Sequence, residues 1–176
     1  MNVKGGTGKT TIADELAFWA DREGIAYNYY DLDQQGGAIH EPCRTKGAKI
    51  DIIDTPGALR DDLNEWVKGA DLIIVPVKAS IRDIPPLETT IKVIEEQRKQ
   101  RKTIIVINNY NRFAAAADFH DMLSDRYKDY QITTIAQSEL FIQSAAAGKS
   151  VIEYKSNSTP ANDIRALINI VKERIG

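Results

Sequence analysis

Cysteine is nearly missing: Cys43 is the only one among 176 residues. A lone thiol excludes an internal disulfide and any zinc or iron–sulfur site built from several cysteines of one chain, and it suits a reducing cytosol. Long apolar runs are missing too. None is long enough to span a bilayer, and the first residues do not form a secretory signal, so the sequence reads as cytoplasmic. Neither charge dominates. A formal net charge of −2 and a sequence pI near 5.7 exclude a chain coated in positive charge and leave any nucleic-acid contact to a local patch. Histidine is scarce as well. His40 lies close to Cys43 with no third ligand at metal-binding spacing, so both read as plain surface or core residues, and His120, between acidic neighbours, reads as solvated.

What is present suits one folded domain over residues 1–176: 43% of residues are hydrophobic and 27% charged. The most informative stretch comes first. Lys4-Gly5-Gly6-Thr7-Gly8-Lys9-Thr10-Thr11 is a glycine-rich run that opens directly into a helical pattern, the sequence form of a polyphosphate cradle. Backbone amides must close around phosphate oxygens there, and side chains at Gly5, Gly6 or Gly8 would block the approach. Lys9 supplies a point charge to the β- and γ-phosphates and Thr10 a hydroxyl to Mg²⁺, at the positive end of the helix.

The loop departs from the commonest phosphate-loop spacing, which places glycine where Val3 stands, and it adds Lys4. In this it resembles the deviant Walker A motif, Lys-Gly-Gly-x-Gly-Lys-Thr-Thr, of the ParA/MinD superfamily of ATPases. The resemblance implies a three-layer α/β fold, a doubly wound, mostly parallel sheet of the SIMIBI type of P-loop NTPase. It also implies that Lys4 reaches across an ATP-sandwich homodimer to the partner's nucleotide, which places Lys4 with Lys9 among the catalytic residues. Within the same fold, the lone Cys43 counts against the nitrogenase iron protein, which needs paired cysteines.

One part of that fold is short. A phosphate loop of this type follows a buried strand, yet only Met1-Asn2-Val3 precede Lys4, too few to cross a sheet. The first strand is therefore expected to be truncated, either because the chain begins late or because these residues form a stub beside a gap. Asn2 matches the asparagine that commonly precedes the lysine motif in relatives.

Residues 25–32 read as a strand ending in Asp31-Leu32-Asp33-Gln34-Gln35-Gly36-Gly37. The run resembles the family's Asp-x-Asp-Pro-Gln segment with Gln34 in place of proline. By that resemblance Asp33 is the hydrolytic carboxylate that orients the attacking water, and Asp31 is structural. Residues 38–48 are brief for this superfamily. Lys49-Ile50-Asp51-Ile52-Ile53 leads into Asp54-Thr55-Pro56-Gly57, a Walker B-like element in which Asp54 holds the Mg²⁺ shell and the Gly57 backbone can approach the γ-phosphate.

Leu59, Leu63, Trp66 and Val67 mark a helix, residues 71–77 a buried strand, and Pro85-Pro86 the start of a helix with Leu87, Ile91 and Ile94 on one face. That helix is expected to close with Arg98-Lys99-Gln100-Arg101-Lys102, whose cations suit a helix C-terminus or part of a DNA surface. The next strand, 103–107, runs into Asn108-Asn109-Tyr110-Asn111. Asn111 stands where GTPases carry the guanine-reading aspartate, which disfavours GTP, and family resemblance gives Asn108 the contact to adenine. A helix over 111–127, a strand over 131–136 and a helix over 138–147 follow. A last helix, capped by Ser158-Thr159-Pro160, carries Ile164, Leu167, Ile168, Val171 and Ile175 on one face. Resemblance to MinD in particular would imply a further basic amphipathic tail, which residues 1–176 do not contain, so membrane binding is not expected.

The resemblance thus implies a small ParA-type ATPase using ATP and Mg²⁺. Its implied partners are a second copy, a ParB-like centromere-binding protein and, in the ATP state, non-specific DNA, with nucleoid association. Candidate DNA-contacting cations are Arg165, Lys172, Arg174 and the 98–102 run. The alternatives are a biosynthetic enzyme of the same fold, such as a dethiobiotin or cobyrinate synthetase, which generally lacks the Lys4 signature, and an ATP switch for conjugation or another cargo.

Overall fold

The computed structural model describes residues 1–33, 37–57, 63–111 and 113–175. Within them, strands and helices alternate. The strands are β1 (Tyr27–Asp31), β2 (Ile50–Asp54), β3 (Ile73–Lys78), β4 (Thr103–Tyr110) and β5 (Gln131–Ala136). The helices are α1 (Lys9–Glu23), α2 (Leu63–Gly69), α3 (Ile84–Glu96), α4 (Ala114–Arg126), α5 (Leu140–Ala146), α6 (Val151–Tyr154) and α7 (Thr159–Ile175).

Every pairing between these strands is parallel. Parallel strands are covered on both faces, and the side chains of β4 show how. Ile105 and Ile107 join Val67 of α2, Leu87, Ile91 and Ile94 of α3, and Phe119 and Leu123 of α4 in one apolar cluster. Ile104 and Val106 join Ile12 and Trp19 of α1 and Ile164, Leu167, Ile168 and Val171 of α7 in another. The two clusters put helices on either side of the strands, the expected three-layer arrangement. The terminal residue of the α7 stripe, Ile175, is exposed rather than packed.

The ladder is interrupted. β1 pairs with β2, β3 with β4 and β4 with β5, but among the described residues β2 and β3 do not pair. A cleft of about 920 Å³ lies between them, lined by Ile12, Leu16 and Trp19 of α1, Ile50 and Ile52 of β2, and Ile73 and Ile74 of β3. Met1-Asn2-Val3 form no strand but lie beside β3. The Met1 nitrogen donates to the Ile74 carbonyl, and Asn2 Nδ2 donates to the Pro76 carbonyl at 2.8 Å. A truncated first strand is what the brevity of residues 1–3 leads one to expect.

Helix ends follow local chemistry. Gly24, at φ 64°, closes α1, Pro85 and Pro86 sit in the first turn of α3, and the Ser158 hydroxyl accepts from the Ala161 amide at 3.3 Å. The basic run 98–102 departs from expectation. α3 ends at Glu96, Arg98 takes φ 55°, and Gln100–Lys102 form a 3-10 turn leading into β4. The cause is a chain reversal in which the Lys99 amide returns to the Ile94 carbonyl at 3.0 Å, while the Lys99 ammonium donates to the Ala70 carbonyl at 2.8 Å. α6 was not expected from the sequence. It rests on a capping box, Ser150 with Glu153, in which each side chain bonds to the other residue's amide. Leu59, Gln34, Gln35 and Gly36 lie outside the described residues.

Candidate functional site

The glycine run turns out of the stub and into α1. Gly8 is the residue before the helix and has φ 101°, a left-handed conformation that suits glycine. Space enforces the same choice, since a Cβ there would stand 2.0 Å from Asn108 Nδ2. Asn108, near the end of β4, donates through that nitrogen to the Thr7 carbonyl at 2.8 Å and so braces the loop. From the opposite side Gly57 packs against the loop backbone, where a Cβ would meet the Gly5 nitrogen at 2.8 Å. The loop is thus held by Asn108 from within β4 and by Gly57 from beyond β2, and both contacts demand a glycine.

Three of the predicted polar groups converge at the start of α1. Lys9 is buried, and its ammonium donates to the Lys4 carbonyl at 3.1 Å. Burial lowers its pKa, against the opposing influence of the Asp54 and Asp33 carboxylates. Asp54, at the end of β2, is 2% exposed, and neither carboxylate oxygen has a hydrogen-bond partner. Burial raises its pKa; the Thr10 hydroxyl is close enough to act the other way but does not make a well-aligned bond. A buried carboxylate without donors is costly on its own. Facing a hydroxyl and a lysine at a helix start, it suits a divalent cation bound together with phosphates. No group of three His, Cys, Asp or Glu side chains among the described residues is built to hold a metal ion. Mg²⁺ commonly takes one or two protein ligands and completes its shell with phosphate oxygens and water, so Thr10 and Asp54 fit that requirement.

Asp33 follows β1, and its amide donates to Asp31 Oδ1 at 3.0 Å. Asp31 therefore shapes the turn that presents Asp33, in keeping with a structural role. Lys4 is turned the other way: its ammonium lies 2.7 Å from Asp83 Oδ2, and its amide is tied to Asn2 Oδ1 at 2.9 Å. Thr7 is fully buried, with its hydroxyl oxygen lacking a partner.

Of the candidate DNA-contacting cations, Arg174 donates to the Arg101 carbonyl, bringing the end of α7 to the 98–102 run. Lys172 pairs with Glu23 at 3.1 Å. Arg165 is held apart from them by the Ser156 carbonyl and Asn162.

The sequence pattern of the CobQ/CobB/MinD/ParA nucleotide-binding domain matches residues 1–151. The chain belongs to this family. It is 24% identical over an alignment of 247 residues to the cell division protein PomZ of Myxococcus xanthus strain DK1622, covering 99% of this chain and 77% of PomZ. Its fold resembles that of an ATP complex of a Cyanothece McdA variant, with TM-score 0.74 and 15% identity over 96% of this chain and 94% of that one. It also resembles a Borrelia burgdorferi B31 protein described as a plasmid partition protein and bound to AMPPNP, with TM-score 0.70 and 13% identity over 97% and 96% of the two chains. The resemblance to ParA/MinD ATPases implied by the Lys4 loop is thereby supported: residues 1–151 match a nucleotide-binding domain of that superfamily, and the solved structures share its fold.

Sequence reasoning missed three acidic residues. Asp83 holds Lys4; Asp14 and Glu15 are both buried on α1. Adjacent carboxylates within Ile-Ala-Asp-Glu-Leu-Ala, on a helix otherwise facing the core, were the available signal. His40, read as a plain residue, is also engaged: its Nδ1 lies 2.9 Å from Asp14 Oδ1 and its Nε2 3.4 Å from Asp21 Oδ2.

Proposed function

We propose that this chain is a ParA-type ATPase whose ATP-bound form is a homodimer and whose hydrolysis returns it to monomers, positioning or segregating DNA. The observation that carries the reading is the partnerless buried carboxylate of Asp54 beside Thr10 and Lys9, at a helix start entered through a glycine loop. Such a constellation is suited to a nucleoside triphosphate and its cation.

In this reading the amides of Gly5, Gly6, Thr7, Gly8 and Thr11 receive the phosphates, and Lys9 neutralises the β- and γ-phosphates. Thr10 and Asp54 would hold Mg²⁺ and its shell, and the ion would supply charge stabilisation for the transferring phosphoryl group. Asp33 orients the attacking water. Gly57, packed against Gly5, links the state of the γ-phosphate to the segment after β2. Asn108 contacts adenine while continuing to brace the loop. Lys4 leaves Asp83 and completes the partner's site.

The names of the similar proteins, concerned with cell division and plasmid partition, favour a positioning role over a biosynthetic one, as does Lys4 itself. A ParB-like protein as stimulator and non-specific DNA as the ATP-state ligand belong to the same proposal. Retention of the chain on DNA of arbitrary sequence tests it. Retention should require ATP and weaken as salt rises, because phosphate contacts release counterions. Retention without ATP, or none at all, contradicts the DNA part of the reading.

A further inference from the structure

We propose that Asp14 is a positioning residue which, together with His40, clamps residues 39 and 40 onto the helix that carries Lys9 and Thr10 and so helps to set Asp33 against the γ-phosphate. The inference rests on the hydrolytic role given to Asp33 above. Asp14 lies one helical turn beyond Thr10 and is 3% exposed. Its carboxylate gathers donors from outside its own helix. Oδ2 accepts from the Ile39 amide at 2.9 Å; Oδ1 accepts from the His40 amide at 3.1 Å and from the Tyr29 hydroxyl at 3.3 Å, and lies 2.9 Å from His40 Nδ1.

A buried carboxylate persists only where such donors meet its desolvation cost. These donors come from the two places that bracket Asp33. Tyr29 belongs to β1, which leads to Asp31 and, through the Asp31 side chain, to the Asp33 amide. Ile39 and His40 lie on the far side of the same connection. The helix that carries Lys9 and Thr10 thus holds Tyr29, before Asp33 in the chain, and Ile39 and His40, after it. Neither grip touches the reacting atoms, so the role is one of placement.

His40 makes the clamp sensitive to pH. From α1 it meets Asp14, Asp21 and the Phe18 ring, whose centroid lies 4.3 Å away; from β1 it meets the Tyr29 ring at 5.6 Å. The Tyr27 hydroxyl also reaches Asp21, at 3.3 Å. Burial works against the charged imidazole, but the hydrogen bonds and charges of Asp14 and Asp21 outweigh it and raise the His40 pKa above 6.5. The charged clamp is therefore complete below pH 6.5 and weakens as pH rises through the higher folded-state value.

The test compares ATP binding and steady-state hydrolysis of the full chain with those of Asp14→Asn and His40→Asn across pH. Asp14→Asn should lower kcat roughly ten- to a hundredfold, as expected for a displaced catalytic group, with KM for ATP unchanged. His40→Asn, which keeps an amide donor for Asp14, should retain most of the activity at low pH but lose the limb of the kcat–pH profile that titrates above 6.5. If Asp14→Asn does not fold, His40→Asn decides alone. Unchanged kcat in a folded Asp14→Asn chain, or an unaltered pH profile in His40→Asn, overturns the proposal while leaving the ATPase reading intact. A wild-type chain that binds ATP without hydrolysing it overturns both.

Discussion

Lys4 and Asp83 form an ion pair of 2.7 Å between a partly exposed ammonium and a carboxylate that is 3% exposed. The second oxygen of Asp83 is buried without a partner, so the Lys4 bond is the visible compensation for that charge. The lysine proposed to act in another subunit is here held by its own. In the proposed dimer, Lys4 would have to give up this pair to reach the partner's nucleotide, so on that reading the pair favours the monomer.

Asp83→Asn should shift the balance towards the dimer. The partial exposure of Lys4 weakens the pair, so its loss is worth about 1 kcal/mol. Two pairs are given up per dimer, so the protein concentration at half-dimerisation with ATP should fall roughly thirtyfold, read by light scattering. A higher concentration instead means that Asp83 is needed in the dimer. Lys4→Gln should remain monomeric with ATP in the same measurement.

Gly57→Ala tests the contact between the segment after β2 and the phosphate loop. Its Cβ would stand 2.8 Å from the Gly5 nitrogen and 2.9 Å from Gly5 Cα, both backbone atoms, so the loop must move. Overpacking of this kind costs about 1–3 kcal/mol. ATP affinity, measured by calorimetry, should fall more than thermal stability does. Unchanged affinity shows that the loop tolerates the shift and that Gly57 lies outside the binding machinery.

Lys9→Ala should abolish measurable ATP binding, since it removes the buried cation at the start of α1. Full affinity in this variant contradicts the assignment of the loop.

Glu15 gives the fold a pH dependence. It is buried on α1, its Oε1 accepts from the Val151 amide at 2.7 Å and its Oε2 has no partner. Burial, only partly offset by that bond and by Arg22, pushes its pKa from 4.5 up to about 7. Below 4.5 the side chain is protonated in both folded and unfolded chains. Between there and about 7 the unfolded chain ionises first, so this group makes stability fall as pH rises, with a limiting cost of roughly 3 kcal/mol. Glu15→Gln keeps an oxygen for Val151 and should gain thermal stability over wild type as pH rises from 5 to 8. A constant difference across that range contradicts the account.

Much of this arrangement was legible because it is local. The strand and helix periods from Ile12 to Val171 follow burial on two faces of a parallel ladder, and Asp54 ends its strand where its apolar run predicts. The clustering of Lys9, Asp54 and the loop follows from element order alone. What escaped depends on contacts distant in sequence. Lys4 meets Asp83 across 79 positions, and His40 meets Asp14 across 26; neither pair has a spacing that a single sequence can reveal. The turn at Arg98 was missed for another reason: five polar residues continue a helix pattern as readily as they end one, and the Lys99 bonds to Ile94 and Ala70 decide it.

The central claim is a dimer made by ATP and undone by hydrolysis at Asp33. Light scattering followed over time after a limited addition of ATP and Mg²⁺ tests it most directly, on the wild-type chain and on Asp33→Ala. The wild-type mass should rise to that of a dimer and fall back as ATP is consumed, whereas Asp33→Ala should rise and stay. No rise in the wild type, or the same decay in both chains, contradicts the account.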